Sequence, residues 1–285
     1  MNNVIKAGRL LYGIGIIAYG VQQLIIQDFR PEILPPFPSW AHQYVVFPFI
    51  TGIALIFAGI IISGLLKIKG VNARNICLYV GFYFLILIVF CHLPYILVIS
   101  PNKASHLGVW AQLLKELAFC GGAFVAAGSF SGHDFATGKK GSFEAQLEKI
   151  VPFGRIFFAT TMILFGRSHF VYIDFISPMV PKWFGMPVFW AYFGGAALIG
   201  AGVAIILKIW IKTIALLLAI MLLIWFVVIH VPGAIAHPYV NNGNSIVSAF
   251  DALLFCGVAL MISCQYGQWS KDVSATNNHL YQLYS

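Results

Sequence analysis

Two histidines stand in matching local contexts in this chain. His92 lies in Cys91-His-Leu-Pro94 and His230 in Ile229-His-Val-Pro232, each closing a long apolar run. The next apolar run carries an acid in each case, Glu116 and Asp251. An ionisable side chain within a membrane-spanning helix costs roughly 2.5–3.5 kcal/mol near the helix centre, so such groups turn inward and take partners. A short hairpin between the two runs brings His92 level with Glu116 and His230 level with Asp251, which predicts one buried His–carboxylate pair in each half. An imidazole beside a carboxylate can relay protons or hydrogen-bond a quinone-like ring. It can equally do no more than tie two helices together, at about 0.6 kcal/mol per intramembrane hydrogen bond. These four residues are the candidates for chemistry.

A second set of polar residues ends the first apolar run of each half at the same depth: Gln23 and Asp28, then His169 and Asp174, with Arg167 in the second half only. They are candidate ligand-binding residues beneath the loops that follow, and Tyr19, Phe90, Tyr95, Phe165, Tyr172 and Trp225 are candidate pocket rings. Metal binding is not expected, because no H-x-x-H or H-E-x-x-H occurs and no three ligands share a clear spacing. The serine-nucleophile and phosphate-loop signatures are missing too, since Gly13-x-Gly15 falls inside an apolar run. The five cysteines form no C-x-x-C pair and read as small core residues.

The elements that position these groups are transmembrane helices. Hydrophobic residues make up 60% of the chain and charged residues 9%, with a mean hydropathy of +0.88. A soluble domain is excluded by those figures. Eight runs reach the roughly 20 apolar residues that a bilayer requires, at about 7–27, 44–66, 75–99, 109–130, 153–173, 187–207, 211–231 and 246–266. Strand-type alternation is lacking.

The runs repeat. Gly8-Arg9 through Asp28-Phe29 aligns without a gap on Gly154-Arg155 through Asp174-Phe175. Thr51–Gly59 matches Gly194–Gly202, Leu78–Pro94 matches Leu216–Pro232, and Lys115–Gly122 is set against Phe250–Gly257, which places Glu116 opposite Asp251. The expected architecture is an all-α integral membrane protein, a parallel tandem repeat of two four-helix units. Its parts are a first repeat over 1–130, a linker with a short interfacial helix over 131–152, a second repeat over 153–266 and a polar tail over 267–285. The net charge of +8 is scattered among short loops, which argues against nucleic acid as a partner. Twelve Lys and Arg fall on the N-terminal side and only Arg30, Lys103 and Lys182 on the other, so both termini are expected in the cytoplasm. The agreement of the first run with an internal one argues that it is retained rather than cleaved as a signal.

Four-span units that open on Gly-Arg, carry Gly166-Arg-Ser-His169 and Asp174-Phe175, and then a later His and acid, resemble the DoxX/DoxD-like membrane family. The likeness covers both halves and is closer in the second, because Gln23 stands where His169 stands. The resemblance implies a bacterial cytoplasmic-membrane protein, an accessory or quinone-linked subunit of a redox complex with membrane or periplasmic protein partners. A structural or assembly subunit without chemistry of its own is the alternative, and a proton-coupled transporter the third.

Overall fold

The computed structural model describes the backbone of residues 2–103, 107–130 and 141–283, and the side chains of 3–102, 108–130 and 141–265. Among them every regular element is helical, and eight helices are long and apolar enough to cross a membrane. We number the main helices α1 (Asn2–Ile26), α2 (Val46–Ser63), α3 (Ala73–Leu87), α4 (Leu107–Gly128), α5 (Gly154–Val171), α6 (Pro187–Leu207), α7 (Ile211–Trp225) and α8 (Asn244–Leu283). The end of the bundle that carries Ile26 is called distal below.

Glycine decides which helices touch. In lipid, helices associate by close packing, which small residues allow. A Cβ on Gly20 would lie 2.5 Å from the Gly52 carbonyl oxygen, and one on Gly166 2.6 Å from that of Gly195, so α1 locks onto α2 and α5 onto α6 in the same manner. The first helix of each half also rests on the last helix of the other. Gly8 meets Gly257 on α8, and Gly154 meets Gly121 on α4, each so closely that a Cβ would come within 2.8 Å of the facing carbonyl oxygen. Helices from the two ends of the chain are therefore interlocked, with α4 and α8 at the centre. Their apolar stretches are 67% and 72% buried, against 22–44% for the other six.

α3 and α7 continue past their regular parts through a widened, π-type turn, Ile88–His92 in one and Phe226–His230 in the other. Proline causes it. Pro94 and Pro232 lack an N–H and would clash with the carbonyls of Phe90 and Val228 in a regular helix, and the wider turn relieves that conflict. Each histidine ends such a turn.

The distal loops differ. Residues 27–45 fold back into the bundle and bury Phe29, Arg30, Glu32, Ile33 and Leu34. Residues 172–186 instead form a short helix (Ile173–Ile176) and two single turns, with Phe175, Trp183 and Met186 exposed. On the opposite side, the short helix Phe143–Leu147 expected in the linker is present, capped by Ser142. It does more than lie on a surface: Leu147 is buried and Glu148 pairs with Arg74 of α3 at 2.5 Å. The linker residues 131–140 lie outside the described residues. The segment expected as a polar tail continues α8 as helix to Leu283.

Candidate functional site

The structure brings the first predicted pair together. His92 Nε2 lies 2.9 Å from Glu116 Oε2, with side-chain exposures of 2% and 0%. The contact is a close approach of the two groups without a formed hydrogen bond. The His92 ring also faces the Ile33 backbone, so the inserted loop covers this pair.

The second predicted pair is not formed. Asp251 Oδ1 accepts from the Tyr19 hydroxyl at 2.6 Å, and Oδ2 lies 2.8 Å from the Lys115 ammonium. No hydrogen bond or ion pair joins His230 to Asp251 among the described residues; the two share only the wall of a cavity. The cause is a one-residue difference of register between the expected and the observed helix crossing. Tyr12 N faces Gly257 and Phe158 N faces Gly121, each 2.8 Å from the Cβ position, so Gly121 and Gly257 occupy equivalent places. Six positions before each glycine stand Lys115 and Asp251. The residue opposite Asp251 is thus Lys115 and not Glu116, and the two equivalent positions carry opposite charges that meet.

Lys115 extends the network. It donates to Glu32 Oε1 at 3.3 Å, Glu32 Oε2 lies 3.4 Å from Arg30 Nε, and Arg30 donates to the Asn242 carbonyl at 2.8 Å. Two cations and two carboxylates balance, as burial demands. Burial alone pushes the Glu32 carboxyl up, but Lys115 and Arg30 outweigh it and hold it below the ordinary glutamate value. Arg30, Glu32 and Lys115 were not among the predicted site residues, and Tyr19 was expected as a pocket ring rather than as a partner of Asp251. The signal was present, since aligning Phe119-Cys120-Gly121 on Phe255-Cys256-Gly257 sets Lys115 against Asp251.

The remaining candidates scatter. Gln23 is fully buried and ties α1 to α2 through the Pro48 carbonyl and Thr51 Oγ1. Asp28 holds its own loop, meeting His42 Nδ1 and the Phe29 amide at 2.7 Å each. Arg167 is exposed and outside the cavity wall, and Asp174 opens the short loop helix, also away from that wall. His169 does reach the cavity, its ring stacked on Trp225 at 5.8 Å between centroids. Of the predicted pocket rings only Phe165 and Trp225 line it.

The cavity has a volume of about 910 Å³ among α5, α6, α7 and α8, beneath the 172–186 loop, and is partly open to the outside of the bundle past Phe193, Leu217, Ile220 and Ile224. Its wall is hydrocarbon and aromatic except for Ser168 and His169 on α5, Lys115 on α4, His230 after α7, and Ser248 and Asp251 on α8. Among the described residues no three His, Cys, Asp or Glu side chains gather as a metal site. The arrangement can hold an elongated apolar molecule and hydrogen-bond a polar end. Comparison with family models, with curated proteins and with solved structures gives no match to this chain.

Proposed function

We propose that this protein is a DoxX-like subunit of a bacterial cytoplasmic-membrane complex that holds an amphipathic ring compound of quinone type within its second half. The observation that carries the reading is the cavity: large, apolar, and polar only where Lys115, Ser168, His169, His230, Ser248 and Asp251 face it. Binding sites for small molecules have this character, about 300–1,000 Å³ of mostly apolar space with a few placed polar groups. The glycine crossings repeated at matched positions support two parallel four-helix units, and the excess of Lys and Arg on the N-terminal side supports cytoplasmic termini. In this reading Lys115 donates to a ring oxygen while the ion pair with Asp251 keeps the ammonium in place.

The test is extraction of bound small molecules from protein purified in mild detergent. About one equivalent of an amphipathic ring compound is expected from the natural protein, and none from Ala201→Trp, which fills the cavity from its wall. Equal recovery from both would refute the reading.

A second reading, a structural or assembly subunit, is favoured by the closed first half. There His92 and Glu116 are sealed under the inserted loop, with no room for a reacting molecule between them. A co-purifying membrane protein together with an empty cavity would favour that reading over the first.

A further inference from the structure

One wall of this cavity has a fixed hydrogen-bonding sense. Ser168 and His169 are neighbours near the distal end of α5, and both line the cavity. The Ser168 hydroxyl donates to the Leu164 carbonyl at 3.0 Å, and His169 Nδ1 faces the Phe165 carbonyl at 2.8 Å. A carbonyl has no proton to give, so Nδ1 carries the hydrogen. His169 has no carboxylate partner among the described residues, and a neutral ring is the form an apolar wall tolerates. Its Nε2 then presents a lone pair alone. The Ser168 hydrogen is committed in the same way, which leaves its oxygen as an acceptor. The ring is also held in place: Trp225 stacks on it, and a Cβ on Gly195 would lie 2.7 Å from the His169 Cβ. Two adjacent groups accept here, and neither donates.

We infer that this wall selects ligands bearing a hydrogen-bond donor, a phenolic or hydroquinone-type hydroxyl, over carbonyl or ether analogues of the same shape. The inference rests on the cavity reading above. A buried acceptor left without a donor weakens binding by about tenfold. A ring that cycles as quinone + 2 e⁻ + 2 H⁺ ⇌ hydroquinone offers this wall hydroxyl hydrogens only when reduced. A tenfold preference for the reduced form raises the midpoint potential of the bound couple by about 30 mV over the free couple.

The experiment compares para-hexylphenol with its methyl ether. Each is bound to the full-length protein in detergent, with concentrations referred to the micelle phase. The phenol is expected to bind the natural protein about tenfold more tightly than the ether. That preference falls to within about twofold in His169→Phe and persists in His169→Gln, whose amide oxygen accepts. Circular dichroism of both variants establishes that they are folded. Equal binding of the two ligands to the natural protein overturns the donor requirement and leaves the cavity reading standing. A preference that survives in His169→Phe combined with Ser168→Ala overturns its assignment to this wall. Binding of neither ligand overturns both.

Discussion

Lys115→Met is the substitution from which the charge network predicts most. Lys115 serves two carboxylates at once, Asp251 at 2.8 Å and Glu32 at 3.3 Å, whose side chains are 6% and 3% exposed. Removing one partner of a buried ion pair costs about 3–5 kcal/mol, because the other charge is left uncompensated. Each acid keeps one neighbour, Tyr19 for Asp251 and Arg30 for Glu32, so the lower end, about 3 kcal/mol, is the expected loss. Adding Asp251→Asn removes the stranded charge while leaving an oxygen for Tyr19. The double variant should then recover about 2 kcal/mol, a coupling typical of residues in direct contact. Unfolding in mixed micelles at increasing denaturing detergent, followed by circular dichroism, measures all four corners of the cycle. A cost for Lys115→Met below about 1 kcal/mol, with effects that simply add, would refute the argument.

Three further outcomes follow from the same structure. Glu32 titrates below its ordinary value in the folded state, so its contribution is present above the unfolded glutamate value of about 4.3 and is lost as pH falls through the folded one. Stability should drop below about pH 4, and Glu32→Gln should flatten that acid limb in thermal melts. Gly166→Ala forces a Cβ to 2.6 Å from the Gly195 carbonyl oxygen and should destabilise by about 1–3 kcal/mol. Gly200→Ala meets nothing within 4 Å and should not destabilise, which the same detergent titration compares directly. Arg74→Gln loses the bidentate contact with Glu148 and should free the short helix Phe143–Leu147, read as faster proteolysis after Lys149.

The spans could be read from the sequence because a bilayer imposes one length on every apolar run, and the His-x-Pro segments because proline must disturb the helix around it. The pairing of the second half could not. Gly121-Gly122 against Gly257 admits two registers, and only the helix crossing chooses between them. A shift of one residue moves Lys115 into the place given to Glu116, so the partner of Asp251 comes from the other half of the chain. The inward fold of residues 27–45 was equally hidden. Its four prolines stiffen the chain without saying where it lies, and the charges of Arg30 and Glu32 find their partners inside the bundle. The helical continuation of α8 went against its polarity, yet no proline or further glycine interrupts the chain after Gly267.

In the function proposed above, the cavity beneath residues 172–186 holds an amphipathic molecule. An electron-microscopy map of the protein in native lipid nanodiscs tests it most directly. Density is expected for one elongated non-protein molecule, its polar end within hydrogen-bonding distance of Lys115 or His169. A cavity collapsed by inward movement of that loop, or filled by acyl chains with no polar group at those residues, would contradict it.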